Sequence, residues 1–202
     1  MVRHLLPSYA TMEQIALGGR VQRYLVERAK EGDRVAFNEL APALGDRLYS
    51  VAHRILRNRD LAGDVTQQTL VKVWRDLPTL RDVDRFDGWA YRLVVNASFD
   101  ALRMRRGRQP HLTLLDSDVT TPDVQLSVAD RDQLDRGFER LSPQHRAVLV
   151  LTYYLEYSAP EVAAVLDLPI GTVRSRLHYA KRAMRAALDA DRRAALDAGG
   201  WA

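Results

Sequence analysis

The sequence predicts an all-α protein with two small helical domains joined by a flexible linker. Apolar residues recur at spacings of three and four along most of the chain, which is the period of amphipathic helices. No sustained stretch alternates polar and apolar residues, so strands are not expected. One segment, residues 109–130, contains two prolines and neither lysine nor arginine, and it divides the helical patterns into two groups.

Composition limits the possible classes of protein. The chain has 202 residues, 47% of them hydrophobic, so folded domains are expected. Its net charge is only +4, and any binding surface must therefore come from local clustering of charge. The absence of cysteine excludes disulfides, thiolate metal sites and cysteine nucleophiles, and fits a reducing cytoplasm. Because no apolar run is long enough for a signal peptide or a bilayer span, we expect a cytoplasmic protein without membrane insertion.

The domain boundaries follow from breaks in the helical pattern. Residues 1–19 lack a clear period and end in a glycine pair, so a loosely attached extension is expected there. Breaks within the first domain fall at Gly32-Asp33, at residues 57–60 and in the loop 77–86. The predicted segments are an N-terminal extension 1–19, a first domain 20–108, a linker 109–126, a second domain 127–188 and a C-terminal tail 189–202.

The segment "DLAGDVTQQTLVKVWRDL", residues 60–77, has the period of an amphipathic helix. Its apolar residues include Val65, Leu70 and Val73, which are expected to face the core. Its polar positions are Asp64, Gln67, Gln68 and Lys72. Such a polar side could face a protein partner as readily as water.

The segment "FDGWAYRLVVNASFDALRMRRGR", residues 86–108, predicts a helix begun by Asp87. One side is largely apolar, whereas the other carries Trp89, Arg92, Leu93, Asn96, Asp100 and Arg103. Trp89 could stack on a base, Asn96 offers both a donor and an acceptor to a base edge, and the arginines could hold phosphates. Asp100 is better placed to orient Arg103 or Arg92. Equally, Trp89 could pack under the preceding loop and Asn96 could pair locally.

The second domain contains a predicted helix-turn-helix. Ser142-Pro143 and the Ser158–Glu161 spacing mark two helix starts, the second as a capping box. Residues 161–166 then predict a short helix, Asp167-Leu168-Pro169 a turn, and Ile170 the start of a second helix.

The second helix of this motif has one apolar side and one side of hydrogen-bond donors. Val173, Leu177, Ala180 and Met184 share the side predicted to face the core. No acidic residue occurs from Ile170 to Leu188, whereas a solvated surface helix usually mixes both charges. A donor side without acids suits phosphates and the acceptor edges of bases in a DNA groove. The outward residues are Arg174, Ser175, His178, Lys181, Arg182 and Arg185, with Arg176 at the flank.

Four segments together resemble the sigma-70 family of bacterial transcription initiation factors, specifically its extracytoplasmic function (ECF) group. They are "AFNELAPALGDRLYSVAHRIL", "DVTQQTLVKVW", "FDGWAYRLVVNASFDALR" and "LSPQHRAVLVLTYYLEYSAPEVAAVLDLPIGTVRSRLHYAKRAM". The resemblance covers residues 20–188. It implies a subunit that gives RNA polymerase its promoter specificity by binding the core enzyme, recognising the minus-35 and minus-10 elements and promoting DNA melting.

The resemblance also assigns the contacts residue by residue. It implies that Asn96 holds a flipped base, with the loop from Leu80 to Phe86 completing the pocket. The implied minus-10 set is Leu80, Phe86, Trp89, Arg92, Asn96 and Arg103. The implied minus-35 set is Thr172, Arg174, Ser175, Arg176, His178, Lys181 and Arg182. Asp64, Gln67, Gln68, Val71 and Trp74 are implied to bind the β′ clamp helices of the polymerase core, and the second domain to sit on the β flap.

The resemblance further implies an anti-sigma partner and a linker that threads the polymerase channel. Aspartates of the linker could mimic RNA phosphates there, or the linker could be a plain disordered tether. No cofactor or metal is expected, and an enzyme is disfavoured because the histidines are dispersed and no glycine-rich phosphate loop occurs. An operator-binding repressor or activator is the other rival, but that class would normally need dimerisation and would have no use for Trp89 and Asn96.

Overall fold

The structure is a computed structural model that describes residues 22–108 and 136–199, with side chains as far as 105 and 190. Within these ranges every regular element is a helix, which confirms the all-α prediction. The helices form two compact units, one on each side of the predicted linker. The extension 1–19 and the linker 109–126 lie outside the described residues. No described helix is both long and apolar enough to cross a membrane.

The N-terminal unit consists of α1 (22–30), α2 (Arg34–Leu56), α3 (Arg59–Asp76) and α4 (Phe86–Arg108). Helices α2, α3 and α4 pack on one another. Their apolar sides meet in a core because each helix has buried positions at three- and four-residue spacing. Its fully buried side chains include Leu44, Leu48, Val51, Ile55, Leu56, Val65, Val73, Leu77, Val94 and Val95.

The turns between these helices lie where the sequence predicted breaks. Gly32 has φ +93°, a conformation that strains other residues, and Asp33 follows it as the N-cap of α2. The Asp33 carboxylate accepts hydrogen bonds from Val35 N at 2.8 Å and Ala36 N at 3.2 Å. Asn58 caps α3 in the same way, accepting from Leu61 N at 2.7 Å.

The C-terminal unit begins with a helical segment at 136–139. It continues with α5 (Pro143–Leu149), a π-helical segment (Val150–Tyr154), α6 (Ala159–Leu166) and α7 (Ile170–Gly199). Helices α5 and α7 pack together. Leu141, Leu149 and Ala180 form a buried cluster, with Leu177 and Met184 packed against it. Val173 is fully buried, so the predicted core side of α7 is confirmed.

The tail predicted as a separate segment from residue 189 continues α7 as far as Gly199. Its sequence, "DADRRAALDA", has no proline or glycine before Gly199 and is rich in strong helix formers. The helix therefore has no local reason to end at Leu188.

Caps fix the starts of α5 and α6. Ser142 Oγ accepts from His145 N at 3.3 Å, with Pro143 at the first helical position, as predicted. In the predicted capping box at Ser158, the hydrogen bonds are those that the glutamate accepts. Glu161 Oε2 accepts from Ser158 N at 2.7 Å and from Ser158 Oγ at 2.5 Å. The serine hydroxyl is thus a donor to the carboxylate here.

The turn between α6 and α7 is stabilised by backbone hydrogen bonds. Asp167 is left-handed at φ 55°, and Leu168 N donates to Ala163 O at 3.1 Å, the pattern of a Schellman helix end. Pro169 O then accepts from Thr172 N at 2.9 Å and Val173 N at 3.1 Å. The chain consequently enters α7 after a short, well-defined turn.

The Asp33 cap predicts a pH-dependent stability. Hydrogen bonds from Ala36 N, from the Arg28 side chain and from Val35 N lower the pKa of Asp33. Because its folded-state pKa lies below the unfolded value of about 4, the carboxylate stabilises the fold above about pH 4. That contribution is lost as the pH falls through the folded-state pKa. Asp33→Asn keeps a capping oxygen without the charge, so we expect a lower thermal midpoint at pH 7 and a smaller difference at pH 3.

Circular dichroism melts at both pH values measure this effect. Glu39→Gln is the control, because it removes an exposed carboxylate from the same helix. A deficit in Asp33→Asn that is as large at pH 3 as at pH 7 would show that its charge is not what stabilises α2.

Candidate nucleic-acid interface

The outer side of α4 exposes the polar residues that the sequence predicted. Arg92, Asn96 and Arg103 are exposed, whereas Trp89 is partly buried. The Trp89 ring centre lies 6.1 Å from that of Phe86, with the planes tilted by 42°. Trp89 therefore packs along one side on Phe86, where the preceding loop joins α4, and keeps part of its surface accessible. The packing alternative for Trp89 is thus observed in part, and base stacking by Trp89 stays a prediction.

The amide of Asn96 is available for an external partner. Within the described residues it makes no hydrogen bond, so the local pairing considered as an alternative is not observed. Asp100, one turn further along α4, forms an ion pair with Arg103, which confirms one of its two predicted partners. This pair holds the guanidinium near the Asn96 side of the helix.

The loop before α4 requires a correction. The sequence placed Leu80 and Phe86 among the residues that contact DNA, but they are only 8% and 3% exposed. Burial of their apolar side chains anchors both ends of the loop on the domain core. In this conformation the exposed side chains are those of the polar residues between them, Arg81, Asp82, Asp84 and Arg85.

A groove of ≈ 570 Å³ runs between α3 and α4. Asp64, Gln68 and Lys72 line it from α3, and Asn96 and Asp100 from α4. Two surfaces that the sequence assigned to different partners are therefore neighbours. Periodicity gave the outward side of each helix, but not which sides would meet.

The five predicted polymerase-binding residues follow one side of α3. Asp64, Gln67, Gln68 and Val71 are exposed, with Val71 at 67%. Trp74 is partly buried, and its ring centre lies 4.9 Å from that of Phe37. The spacing of three, four and seven residues places them on a continuous strip, which we call the α3 strip. Its Val71–Trp74 end borders a groove lined by Arg34, Phe37, Asn38, Ala41 and Leu70.

The predicted groove-facing side of α7 is open to solvent. Thr172 and Arg176 are partly buried, the latter in line with its predicted place at the flank. Ser175 Oγ donates to Thr172 O at 3.0 Å. The exposed members are Arg174, Ser175, His178, Lys181 and Arg182. Because no acidic residue occurs from Ile170 to Leu188, Arg174 and Arg182 form no ion pair within this part of α7.

Aromatic residues that the sequence analysis did not assign lie beside this surface. Lys181 Nζ is 5.2 Å from the centre of the Tyr153 ring, a cation–π distance. Tyr153 is 53% exposed and Tyr179 58%, and the His178 ring meets Tyr179 edge-on at 5.7 Å. Tyr179 lies on α7 itself, whereas Tyr153 stands in "LTYYLEYS", where nothing in its spacing linked it to α7.

The described residues contain no group of three or more His, Cys, Asp or Glu placed to hold a metal ion. The polar sides of α4 and α7 each present hydrogen-bond donors and positive charge.

Comparison with known proteins identifies the architecture. The family model Sigma-70 region 2 matches residues 40–108, and Sigma-70, region 4 matches residues 131–184. An ECF RNA polymerase sigma-E factor of Escherichia coli (strain K12) is 31% identical over 174 residues, covering 79% of this chain and 90% of the relative. The chain belongs to the ECF sigma factors. This sigma factor is a promoter-specificity subunit of bacterial RNA polymerase, and its region 2 decides against the operator-binding repressor.

Two solved structures share the fold of this sigma factor. CnrH in complex with the cytosolic domain of CnrY aligns with TM-score 0.59 and 29% identity, covering 85% of this chain and 99% of that chain. The sigma factor RpoE in complex with the anti-sigma factor NepR from Bartonella quintana aligns with TM-score 0.64, covering 77% of this chain and 98% of that chain. At 22% identity the second likeness concerns the fold alone.

Proposed function

We propose that this sigma factor reads its promoter at two points, the minus-10 element through α4 and the minus-35 duplex through α7. Asn96 holds a flipped minus-10 base, while Trp89 stacks on a neighbouring base and Arg92 and Arg103 hold phosphates. The observation that carries this assignment is the exposed Asn96 amide, which the described residues leave without a hydrogen bond.

Leu80 and Phe86 act on the minus-10 element indirectly in this proposal. Their burial supports the loop from the core side, and the loop then shapes the edge of the base pocket near Trp89. This role keeps the predicted part of the loop in the base pocket and replaces the DNA contact by the Leu80 and Phe86 side chains themselves.

The α7 assignment rests on charge. A side with Arg174, Lys181 and Arg182 and no acid from Ile170 to Leu188 suits two phosphate backbones and the base edges between them. Arg174, Ser175 and His178, nearest the start of the helix, are placed to reach base edges, whereas Arg182 lies further along and holds phosphate.

The α3 strip is the proposed contact with the β′ clamp helices, and the C-terminal unit sits on the β flap. Val71 supports the first assignment, because a valine that is 67% exposed beside a partly buried tryptophan offers apolar area to a protein partner.

Regulation by an anti-sigma partner is the remaining part of the proposal. RpoE from Bartonella quintana binds the anti-sigma factor NepR, and CnrH binds the cytosolic domain of CnrY. We infer that a protein inhibitor likewise binds this sigma factor. The sigma factor itself is proposed to act in the cytoplasm and to catalyse no reaction of its own.

Asn96→Ala should slow promoter opening and leave binding to core polymerase intact. Loss of a two-point base contact is expected to cost roughly tenfold or more in the opening rate. Permanganate reactivity of minus-10 thymines measures opening, and a pull-down with purified core polymerase measures binding. Met104→Ala is the control, because Met104 is 64% exposed on the same helix but outside the proposed contact set. An equal fall in core binding would refute the separation of the two surfaces.

Arg174→Ala should weaken binding to the minus-35 duplex by roughly tenfold or more, with most of the loss confined to the cognate sequence. Fluorescence anisotropy with cognate and scrambled duplexes separates base contact from phosphate contact. Arg185→Ala, an equivalent exposed change three turns along α7, should weaken both duplexes alike and reduce the salt dependence. Undiminished cognate binding by Arg174→Ala would contradict its placement in the groove.

Val71→Glu should weaken core polymerase binding at least tenfold, because it buries a charge against the partner. Titration of labelled sigma factor with core enzyme measures the affinity. Val35→Glu is the control, with 62% exposure on α2 and no place in the α3 strip. If both variants lose the same affinity, the interface is not at the α3 strip.

A further inference from the structure

The loop between Leu80 and Phe86 is held from the side by α1. Arg23 Nη1 donates to Asp84 Oδ1 at 2.5 Å, across 61 positions of sequence. One residue earlier, Gln22 Nε2 donates to Asp87 Oδ1 at 2.8 Å. Both contacts join the first turn of α1 to the segment that leads into α4. The residues of α1 lie before position 40, where the match to region 2 begins.

Arg23 is itself oriented toward the loop. Its Nε donates to Glu27 Oε1 at 3.0 Å, one turn further along α1. This second bond leaves Nη1 directed at Asp84, because the guanidinium group is planar and its donors have fixed directions. A flexible lysine at this position would not be held in the same way.

Ion pairs, including that of Arg23 with Asp84, offset the negative charge of the loop. Asp82, Asp84 and Asp87 form a local cluster of acids that would repel a DNA strand. Each is paired: Asp82 with Arg85 at 3.3 Å, Asp84 with Arg23, and Asp87 with Arg47 Nη1 at 3.2 Å. Two of the three neutralising cations thus come from α1 and α2, outside the loop and α4.

The acids also have a structural use that explains why they are present. Asp82 Oδ1 accepts from Asp84 N at 3.0 Å and so caps the short 3-10 helix Val83–Arg85. Asp87 stands in the first turn of α4, where a negative charge is favourable. A loop of this shape therefore requires aspartates close to α4, and their charge needs partners.

We propose that Arg23 is a positioning residue for minus-10 recognition. It ties the loop to α1 and offsets part of the charge of Asp84, so that the loop keeps the shape that completes the Asn96 base pocket. This inference rests on the proposed minus-10 function of α4 and its loop. Arg23 touches no base; it acts through Asp84.

The exposure of the pair sets the expected size of the effect. The side chains of Arg23 and Asp84 are 55% and 65% exposed, so the bond contributes little to the stability of the whole unit. Loss of this ion pair is expected to lower the population of the loop conformation described above by roughly two- to fivefold and to leave the fold intact. The effect is expected to fade in high salt, because exposed pairs are screened.

The test is a charge swap in the full chain, assembled with core polymerase. Arg23→Asp, Asp84→Arg and the double variant R23D/D84R are compared on a promoter mapped from transcripts induced by overexpression. The readouts are the rate of promoter opening and the loss of rate when each minus-10 base is replaced in turn. Lys30→Gln, a charge change two turns along α1, is the control. Core binding and the thermal midpoint are measured for each variant.

We expect each single variant to open the promoter roughly two- to fivefold more slowly and to discriminate less among minus-10 bases, with normal core binding. The double variant should recover most of the rate and the discrimination. Failure of the swap to restore either readout, or single variants as active as Lys30→Gln, would overturn the positioning role.

Asn96→Ala in the same assay separates this inference from the function beneath it. If Asn96→Ala opens the promoter normally, the minus-10 assignment of α4 fails, and the inference fails with it. If Asn96→Ala is defective while the Arg23 and Asp84 variants are not, only the role of Arg23 is refuted.

Discussion

The rotation of α4 about its own axis is the constraint on which the proposed promoter contacts depend. Val94 and Val95 are fully buried, and Ser98 is buried with its hydroxyl bonded to Val94 O at 2.7 Å. These three positions allow one orientation of the helix against α2 and α3. A shift of the buried positions by a single residue would turn Asn96 toward the core, where an amide without a partner is costly. The apolar side thus determines which polar residues are available to DNA.

In α7 too, the buried side chains fix which polar residues are exposed. Small and large side chains alternate at its core side. Val173 and Ala180 are fully buried, and Leu177 and Met184 complete the contact with the cluster around Leu149. The turn before α7 sets where the helix starts, because Pro169 O accepts from both Thr172 N and Val173 N. Rotation and starting point together decide that Arg174, Ser175 and His178 occupy the exposed first turns.

Features governed by local rules could be predicted from the sequence. The outward sides of α3, α4 and α7 follow from helical period, and the caps at Ser142 and Ser158 follow from residue type. Features that depend on chain segments meeting in space could not. Leu80 and Phe86 lie in a loop without a period, so nothing local separated burial from exposure. The Arg23–Asp84 pair joins residues 61 positions apart, and the Lys181–Tyr153 contact joins two elements whose packing no spacing rule gives.

The two proposed DNA-reading sides differ in charge in a way that suits their targets. From Ile170 to Leu188 of α7 no acid accompanies the arginines, whereas on α4 Asp100 pairs with Arg103 and the preceding loop pairs its aspartates with nearby arginines. Duplex DNA presents two phosphate backbones and a dense counterion layer. Cations of α7 that form no ion pair therefore gain the most binding free energy on a duplex. A melted strand has a lower charge density, and its bases are held by stacking and hydrogen bonds. In the proposed complex, paired charges on α4 therefore cost little binding: the pairs fix the shape of the Asn96 surface, and the affinity comes from base contacts.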